Sequence, residues 1–292
     1  MVETKKLTVG IPTYNSSKYL VACIKSVINC KSVDEILVSD DESSNVEYKK
    51  TLDIIEKFNR KSRVQIAIFR NEKNRGAYEN KFNLFNLAKN DYVYILDSDN
   101  IASKNLDTIF FEKILKESSS DFLFQPNKMY QFWTRPRLSK LLSHFQKKYV
   151  VKFVNKDTEI DLSMTKASLL FNPGGYNLNA YIEKNNTKVD ELNKGNFIID
   201  KWIFWVLNCG NFIAHKKYML DIGKEGLKVD RNLRSVDAIV FSYLWLKSGR
   251  KIKIYNDFYH HHRKRNDSVS FTEKDDSSFA IKYYIQKVLS EG

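Results

Sequence analysis

The first 125 residues of the chain alternate between two rhythms of apolar and polar positions. Leu7-Thr8-Val9-Gly10-Ile11 is a short apolar run closed by Pro12, which predicts a buried strand. Asn15, Ser16 and Ser17 then offer helix N-caps, and Leu20, Ile24, Val27 and Ile28 follow at helical spacing. Glu35–Ser39 predicts a second strand, ending in the acidic turn Asp40-Asp41-Glu42-Ser43-Ser44. Tyr48, Leu52, Ile55 and Phe58 mark a second helix, and Val64–Phe69 a third strand. After the turn Asn74-Arg75-Gly76 a third helix runs to about Lys89. Tyr92–Leu96 is a wholly apolar fourth strand ending in Asp97-Ser98-Asp99-Asn100. Leu106, Ile109, Phe110 and Ile114 predict a further helix, and Asp121–Phe124 a further strand.

Strands alternating with helices predict a mainly parallel sheet covered on both faces. Ligands of such sheets bind beyond the carboxyl ends of the strands. Thr13–Asn15, Asp40–Ser44, Asn74–Gly76 and Asp97–Asn100 all fall on that edge, and their convergence says more than any one of them. No internal repeat and no Gly/Ser-rich linker occurs. Residues 126–292 are therefore expected to extend the core begun by residues 1–125.

Composition narrows the class. The 292 residues are 42% hydrophobic, 28% charged and 13% aromatic, which is globular and not disordered. The most apolar stretch, Phe197 to Ala214, is interrupted by Asp200 and Lys201, so no membrane span is expected. The start of the chain has no long apolar segment of the secretory kind, and three cysteines without metal-ligand spacing fit a reduced, cytoplasmic protein. The net charge of +13 is lopsided: residues 1–120 carry 19 Lys+Arg against 17 Asp+Glu, and the remainder 29 against 18. Pro126 to Lys156 holds eight basic residues and no acid. This half is either a solvated lysine-rich surface or the face toward an anionic partner.

Several residues can carry chemistry. Asp97 and Asp99 close a buried strand, where two carboxylates can hold a divalent ion that in turn holds a diphosphate; the bland alternative is a surface turn. Asp40-Asp41 can accept hydrogen bonds from the N–H edge of a base, or can simply cap the next helix. Arg75 can reach a base or phosphate, or lie on a surface turn.

The order strand–PTYN–helix–strand–DDxSS–helix–strand–NRGA–helix–strand–DSDN resembles the inverting family 2 glycosyltransferases of the GT-A fold. The likeness covers residues 7–103 closely and resumes over about 210–270. The resemblance implies an α/β, Rossmann-like, mixed but mainly parallel sheet flanked by helices. It implies one large domain: a nucleotide-sugar half at 1–125, an acceptor half at 126–292, and a variable basic insert at about 126–205. It further implies that Pro12, Thr13, Tyr14 and Asn15 border the nucleotide, that Asp41 with Asp40 bonds a uracil ring, and that Arg75 and Ser98 line the donor. Asp97 and Asp99 would hold Mn2+ or Mg2+, Asp99 the closer. The family's base stands in a Glu-Asp pair ahead of a helix. Here the place reads Arg234-Ser235-Val236-Asp237, so Asp237 is the expected base, with Asp200 and Asp230 as competitors. Glu42 departs from the glycine common in the turn after the Asp pair. In Tyr259-His260-His261-His262-Arg263-Lys264-Arg265, followed by Ser268 and Ser270, His262 is the candidate third metal ligand and Arg263 the diphosphate clamp. If this segment is a strand, alternate histidines face opposite ways.

The implied reaction moves a sugar from a nucleotide diphosphate, UDP foremost, to a hydroxyl of a glycan or lipid-linked saccharide by one inverting displacement. Leu138, Leu141, Leu142, Phe145 and Tyr149, set among Arg135, Arg137, Lys140, Lys147 and Lys148, read as a basic amphipathic helix. It either packs on the core or lies on the inner face of an anionic membrane. Trp202 and Trp205 fit core packing or sugar stacking, and Trp133 an exposed aromatic. A non-catalytic binder of anionic lipid or nucleic acid is the competing class, although four polar clusters on one sheet edge are more than a binder needs; no nucleic-acid partner is expected. A nucleotidyltransferase is disfavoured, because PTYNSSK lacks the glycines of a phosphate loop.

Overall fold

The computed structural model describes residues 5–133, 149–164, 206–228 and 237–264, with two short strand pieces at 176–177 and 198–199. The elements follow the predicted order through the first half. They are β1 (Leu7–Thr13), α1 (Ser17–Val27), β2 (Val33–Asp40), α2 (Asn45–Asn59), β3 (Ile66–Arg70), α3 (Ala77–Leu87), β4 (Tyr92–Ile95) and β5 (Ile101–Ala102). The next helix, α4 (Leu106–Thr108), continues as a π turn over Ile109–Lys113 and a 3-10 turn over Ile114–Lys116. Then come β6 (Phe122–Trp133), β7 (Tyr149–Lys152), β8 (Thr158–Ile160), β9 (Tyr176–Asn177), β10 (Ile198–Ile199) and β11 (Phe212–His215). The last are α5 (Lys216–Gly226), α6 (Asp237–Lys247) and β12 (Lys251–Lys264).

One sheet holds ten of these strands, in the order β3-β2-β1-β4-β11-β6-β12-β5, with β7 on β6 and β8 on β12. The pairs β3/β2, β2/β1 and β1/β4 are parallel. β11 is antiparallel to both β4 and β6, and β12 is parallel to β6. The long strands β6 and β12 therefore point the same way as β1–β4, and their carboxyl ends reach the same edge. Strand β6 runs through positions 125 and 126, so both halves of the chain build one sheet.

The alternation along the strands sorts side chains into two cores. Tyr92 and Tyr94 of β4 join a cluster with Leu20 and Ile24 of α1, Ile55 of α2, and Ile109 and Phe110 of the π turn after α4. Val93 and Ile95 join the other, with Phe82 and Phe85 of α3, Met219 of α5 and Trp245 of α6. Helix α6 is buried at every position from Asp237 to Leu246, which explains why its sequence is apolar all round.

A local signal accounts for the start of α2. Ser44 accepts the Glu47 amide at 3.3 Å, the Ser-x-x-Glu pattern of an N-cap. Ser16 stands at the N-cap of α1 but makes no capping bond; its hydroxyl is engaged by Thr13 and Ser98 instead. Tyr149 departs from expectation. Its spacing assigned it to a helix, but it opens β7 and pairs with Gln131, and the β-branched Val150 and Val151 that follow it favour a strand. The other residues of that expected helix, Arg135 to Lys148, lie outside the described residues. So do the side chain of Trp133, Asp200, Trp202, Trp205, Asp230, Arg234, Ser235, Arg265, Ser268 and Ser270.

Candidate active site

The turn after β4 is held from three sides. Asp97 donates its backbone N–H to Asn211 Oδ1 at 2.8 Å, and the Asn100 amide returns to the Asp97 carbonyl at 2.9 Å. Ser98 shares a 2.8 Å hydroxyl contact with Ser16, which shares another of 2.8 Å with Thr13. The loop after β1 is thereby tied to the aspartate turn. From β12, Arg263 donates through Nε to the Asp99 carbonyl at 3.1 Å and through its amide to Asn100 Oδ1 at 3.2 Å. Its guanidinium lies between the rings of Tyr19 and Phe132, 4.9 and 4.6 Å from their centroids. Arg263, expected to clamp a diphosphate, braces the aspartate turn in this structure.

Beneath the turn lies a buried cation that sequence reasoning passed over. Lys81, 4% exposed on α3, places Nζ 2.8 Å from Asp97 Oδ1 and 2.7 Å from Asp237 Oδ2. It also donates to the Gly210 carbonyl at 3.3 Å. Burial pushes the Asp237 carboxyl above its ordinary value, and the Lys81 charge opposes that. Burial works against the Lys81 ammonium, but Asp237 and Asp97 outweigh it and hold the amine protonated. The packing is shaped around this group. A Cβ on Gly210 would sit 3.0 Å from Asp97 Oδ2 and 3.2 Å from Lys81 Nζ, so a side chain there would crowd both groups. The signal that could have found Lys81 is its place in the apolar stripe Tyr78, Lys81, Phe82, Phe85, where a lysine has no reason to be without a partner.

Asp41 organises the neighbouring loops. Its carboxylate accepts the Arg75 and Gly76 amides at 2.8 and 2.9 Å and the Asn71 side chain at 2.9 Å. Asp40 is fully buried. One carboxylate oxygen takes the Ser43 amide at 3.1 Å, and the other meets no donor among the described residues. Burial pushes its pKa up. The Arg75 guanidinium pairs with Glu79 at 2.5 Å, on the outer side of the turn. Asn15 and Glu42 both take left-handed backbone, at φ 47° and 63°. Asn15 exchanges bonds with Ser43 Oγ (2.8 Å) and the Ser44 amide (2.9 Å). Pro12 and Tyr14 flank buried Thr13 at the end of β1, and Tyr14 is 48% exposed.

The segment Tyr259 to Lys264 is strand, so the histidines alternate as expected. His260 and His262 share one face, with ring centroids 6.1 Å apart, while His261 packs on Tyr130. Burial, followed by the charges of His262 and His261, brings His260 down to about 3, so it is neutral. Among the described residues no three His, Cys, Asp or Glu side chains gather to hold a metal. Asp97, Asp99 and His262 thus form no ready-made three-ligand cage. A divalent ion shared with a ligand's phosphates needs only one or two protein carboxylates, and the aspartate turn fits that lesser requirement. Cys23 and Cys209 are buried with raised pKa values, Cys209 to about 12, which argues against a thiol nucleophile.

A mixed α/β sheet with its acidic loops gathered on the carboxyl edge is the GT-A glycosyltransferase architecture. The chain belongs to glycosyl transferase family 2, which it matches over residues 8–177. The S. aureus protein TarS, residues 1–349 in complex with UDP, shares the fold at a TM-score of 0.56 and 17% identity, over 89% of this chain and 61% of that one. GalNAc-T7 with UDP, GalNAc and Mn2+ does so at 0.57 and 17%, over 91% and 45%. Among sequence relatives, the glycosyltransferase GlyG of Streptococcus pneumoniae serotype 4 is 25% identical over 115 residues, 39% of this chain and 36% of that protein. The poly(ribitol-phosphate) beta-glucosyltransferase of Bacillus spizizenii is 29% identical over 120 residues, 40% of this chain and 18% of that protein. The chain spans less than two thirds of each of these proteins. No helix among the described residues is long and apolar enough to cross a membrane.

Proposed function

We propose that this protein transfers a sugar from a UDP-sugar to a hydroxyl of a glycan or lipid-linked saccharide, with inversion. One observation carries the reading: Asp237 and the Asp97–Asp99 turn, 140 positions apart in sequence, meet across Lys81 at the carboxyl edge of the sheet. A donor-side pair of carboxylates and a separate buried carboxylate are the parts a single displacement needs. Neighbours of the same fold solved with UDP, UDP-GlcNAc and Mn2+ support the donor class.

In this reading Pro12, Thr13, Tyr14, Asn15, Asp40 and Asp41 line the base, and Arg75 and Ser98 line the rest of the donor. Asp97 and Asp99, with His262 as the candidate third ligand, would hold Mn2+ or Mg2+, which when bound neutralises charge on the leaving diphosphate. Asp237 takes the proton from the acceptor hydroxyl as its oxygen bonds to the anomeric carbon. The bond from that carbon to the diphosphate breaks on the opposite face, and UDP departs with the electron pair. The excess of basic residues after position 120 suits an acceptor or membrane surface that carries negative charge. It fits an enzyme on the cytoplasmic side of a membrane.

Calorimetric titration of UDP with and without Mn2+, into wild type and Asp99→Ala, tests the reading. Binding that needs Mn2+ and weakens about tenfold or more in Asp99→Ala is expected. Equal binding without metal would remove the metal from the scheme. Absence of UDP binding altogether would overturn the donor assignment.

A further inference from the structure

We infer that Lys81 is a positioning residue that sets the acceptor-side carboxylate Asp237 against the donor-side carboxylate Asp97. The inference rests on the glycosyl-transfer reading and adds to it a residue outside the motifs that suggested it.

The geometry is specific. One ammonium lies 2.8 Å from Asp97 and 2.7 Å from Asp237, with the Gly210 carbonyl as a third partner at 3.3 Å. The side chains of Lys81 and Asp237 are only 5% and 11% exposed, so water screens that pair little, while Asp97 at 29% keeps an open side. Two ionised carboxylates on one site repel unless one takes up a proton or a cation lies between them, and here the cation is Lys81. Their separation is therefore set by the reach of a single lysine head. Its stem belongs to α3, whose neighbouring residues Phe82 and Phe85 are buried.

Stability alone does not explain the trio. A buried ion pair is on the whole no better for stability than an apolar group of the same volume. Position 81 belongs to a stripe of Tyr78, Phe82 and Phe85 where methionine or leucine would pack. Residue 210 is meanwhile a glycine, where a Cβ would crowd the same array. The packing thus makes room for a charge where an apolar side chain would serve the core. What the charge accomplishes is to tie the first residue of α6 to the turn after β4, elements that approach the edge from different parts of the chain.

The test measures UDP release from UDP-glucose and UDP-GlcNAc, with water or a saccharide as acceptor, alongside thermal unfolding. Lys81→Met is expected to lower kcat about 100-fold per folded molecule while donor KM stays within about threefold. Lys81→Arg, which keeps the charge, should recover about tenfold of that loss. Gly210→Ala keeps all three charges but crowds Asp97 and Lys81. It should lower kcat about tenfold with UDP affinity unchanged, and it serves should Lys81→Met fail to fold. A kcat within about threefold of wild type in Lys81→Met, or in Gly210→Ala where the first variant does not fold, would overturn the inference. Equal losses in Lys81→Met and Lys81→Arg would do the same. If wild type itself neither binds UDP nor releases it, the glycosyl-transfer reading falls and takes this inference with it.

Discussion

Glu42 and Asn74 are joined across two loops: the Glu42 carboxylate accepts the Asn74 amide at 2.7 Å, and Glu42 does so from left-handed backbone at φ 63°. Glycine would take that φ without strain, but it could not make the bond. The departure from the family's glycine thus exchanges backbone ease for a tie between the acidic turn and the loop before α3. Glu42→Ala keeps the strained φ and loses the bond, so unfolding should cost about 1–2 kcal/mol less. Glu42→Gly loses the bond but relieves the strain, and its stability should stay within about 1 kcal/mol of wild type. Urea unfolding of both variants checks this. Equal destabilisation would mean the φ carries no strain.

Asp41 supplies its carboxylate to two backbone amides and the Asn71 side chain. In Asp41→Asn the new amide cannot accept where the acid did, and a buried N–H loses its partner. A loss of about 1–3 kcal/mol is expected, together with weaker UDP binding, because the loop from Asn71 to Gly76 no longer docks. Unfolding and calorimetry on one preparation would separate the two effects.

Arg263 offers a distinction between bracing and charge. Lysine keeps the charge but can neither stack between Tyr19 and Phe132 nor hold the Asp99 carbonyl through a planar Nε. Arg263→Lys should weaken Mn2+-dependent UDP binding about tenfold if bracing is its role. Unchanged affinity would restore the simple clamp.

Asp237→Asn keeps the size of the side chain and removes the proposed base. Transfer should fall by about 10²–10⁴-fold while UDP binding stays near wild type. Turnover at the wild-type rate would exclude Asp237 as the base.

Acid sensitivity has one structural source at Asp107. Burial raises its pKa, but the Ser32 hydroxyl and amide and the Lys31 amide, at 2.6, 2.8 and 2.9 Å, outweigh that and hold it below the ordinary value. The unfolded chain therefore takes up the proton first as pH falls. The stabilisation is present above the ordinary carboxylate pKa and is lost as pH falls through the lower folded value. Asp107→Asn should be less stable at neutral pH and show a flatter acid limb below about pH 4 in a denaturant–pH series.

The sequence by itself determined the elements and the edge. Strands of apolar residues ending in Asp40-Asp41 and Asp97-Ser98-Asp99, each followed by a helix pattern, are local facts, and in a parallel sheet they place those acids on one side. Even the φ of Glu42 was hinted at by the glycine expected there. Lys81 was hidden because its partners stand at positions 97, 210 and 237, and no spacing rule links residues joined only by folding. The packing of Arg263 was hidden for the same reason: its charge was legible, but the rings of Tyr19 and Phe132 that flank it come from α1 and β6. Tyr149 carried a helical spacing but entered a strand, because pairing with β6 outweighed a periodicity that five residues define weakly. Local propensity and strand direction are written in consecutive residues. The pairing of charges in a low-dielectric interior depends on which chain segments meet there, and only the tertiary structure decides that.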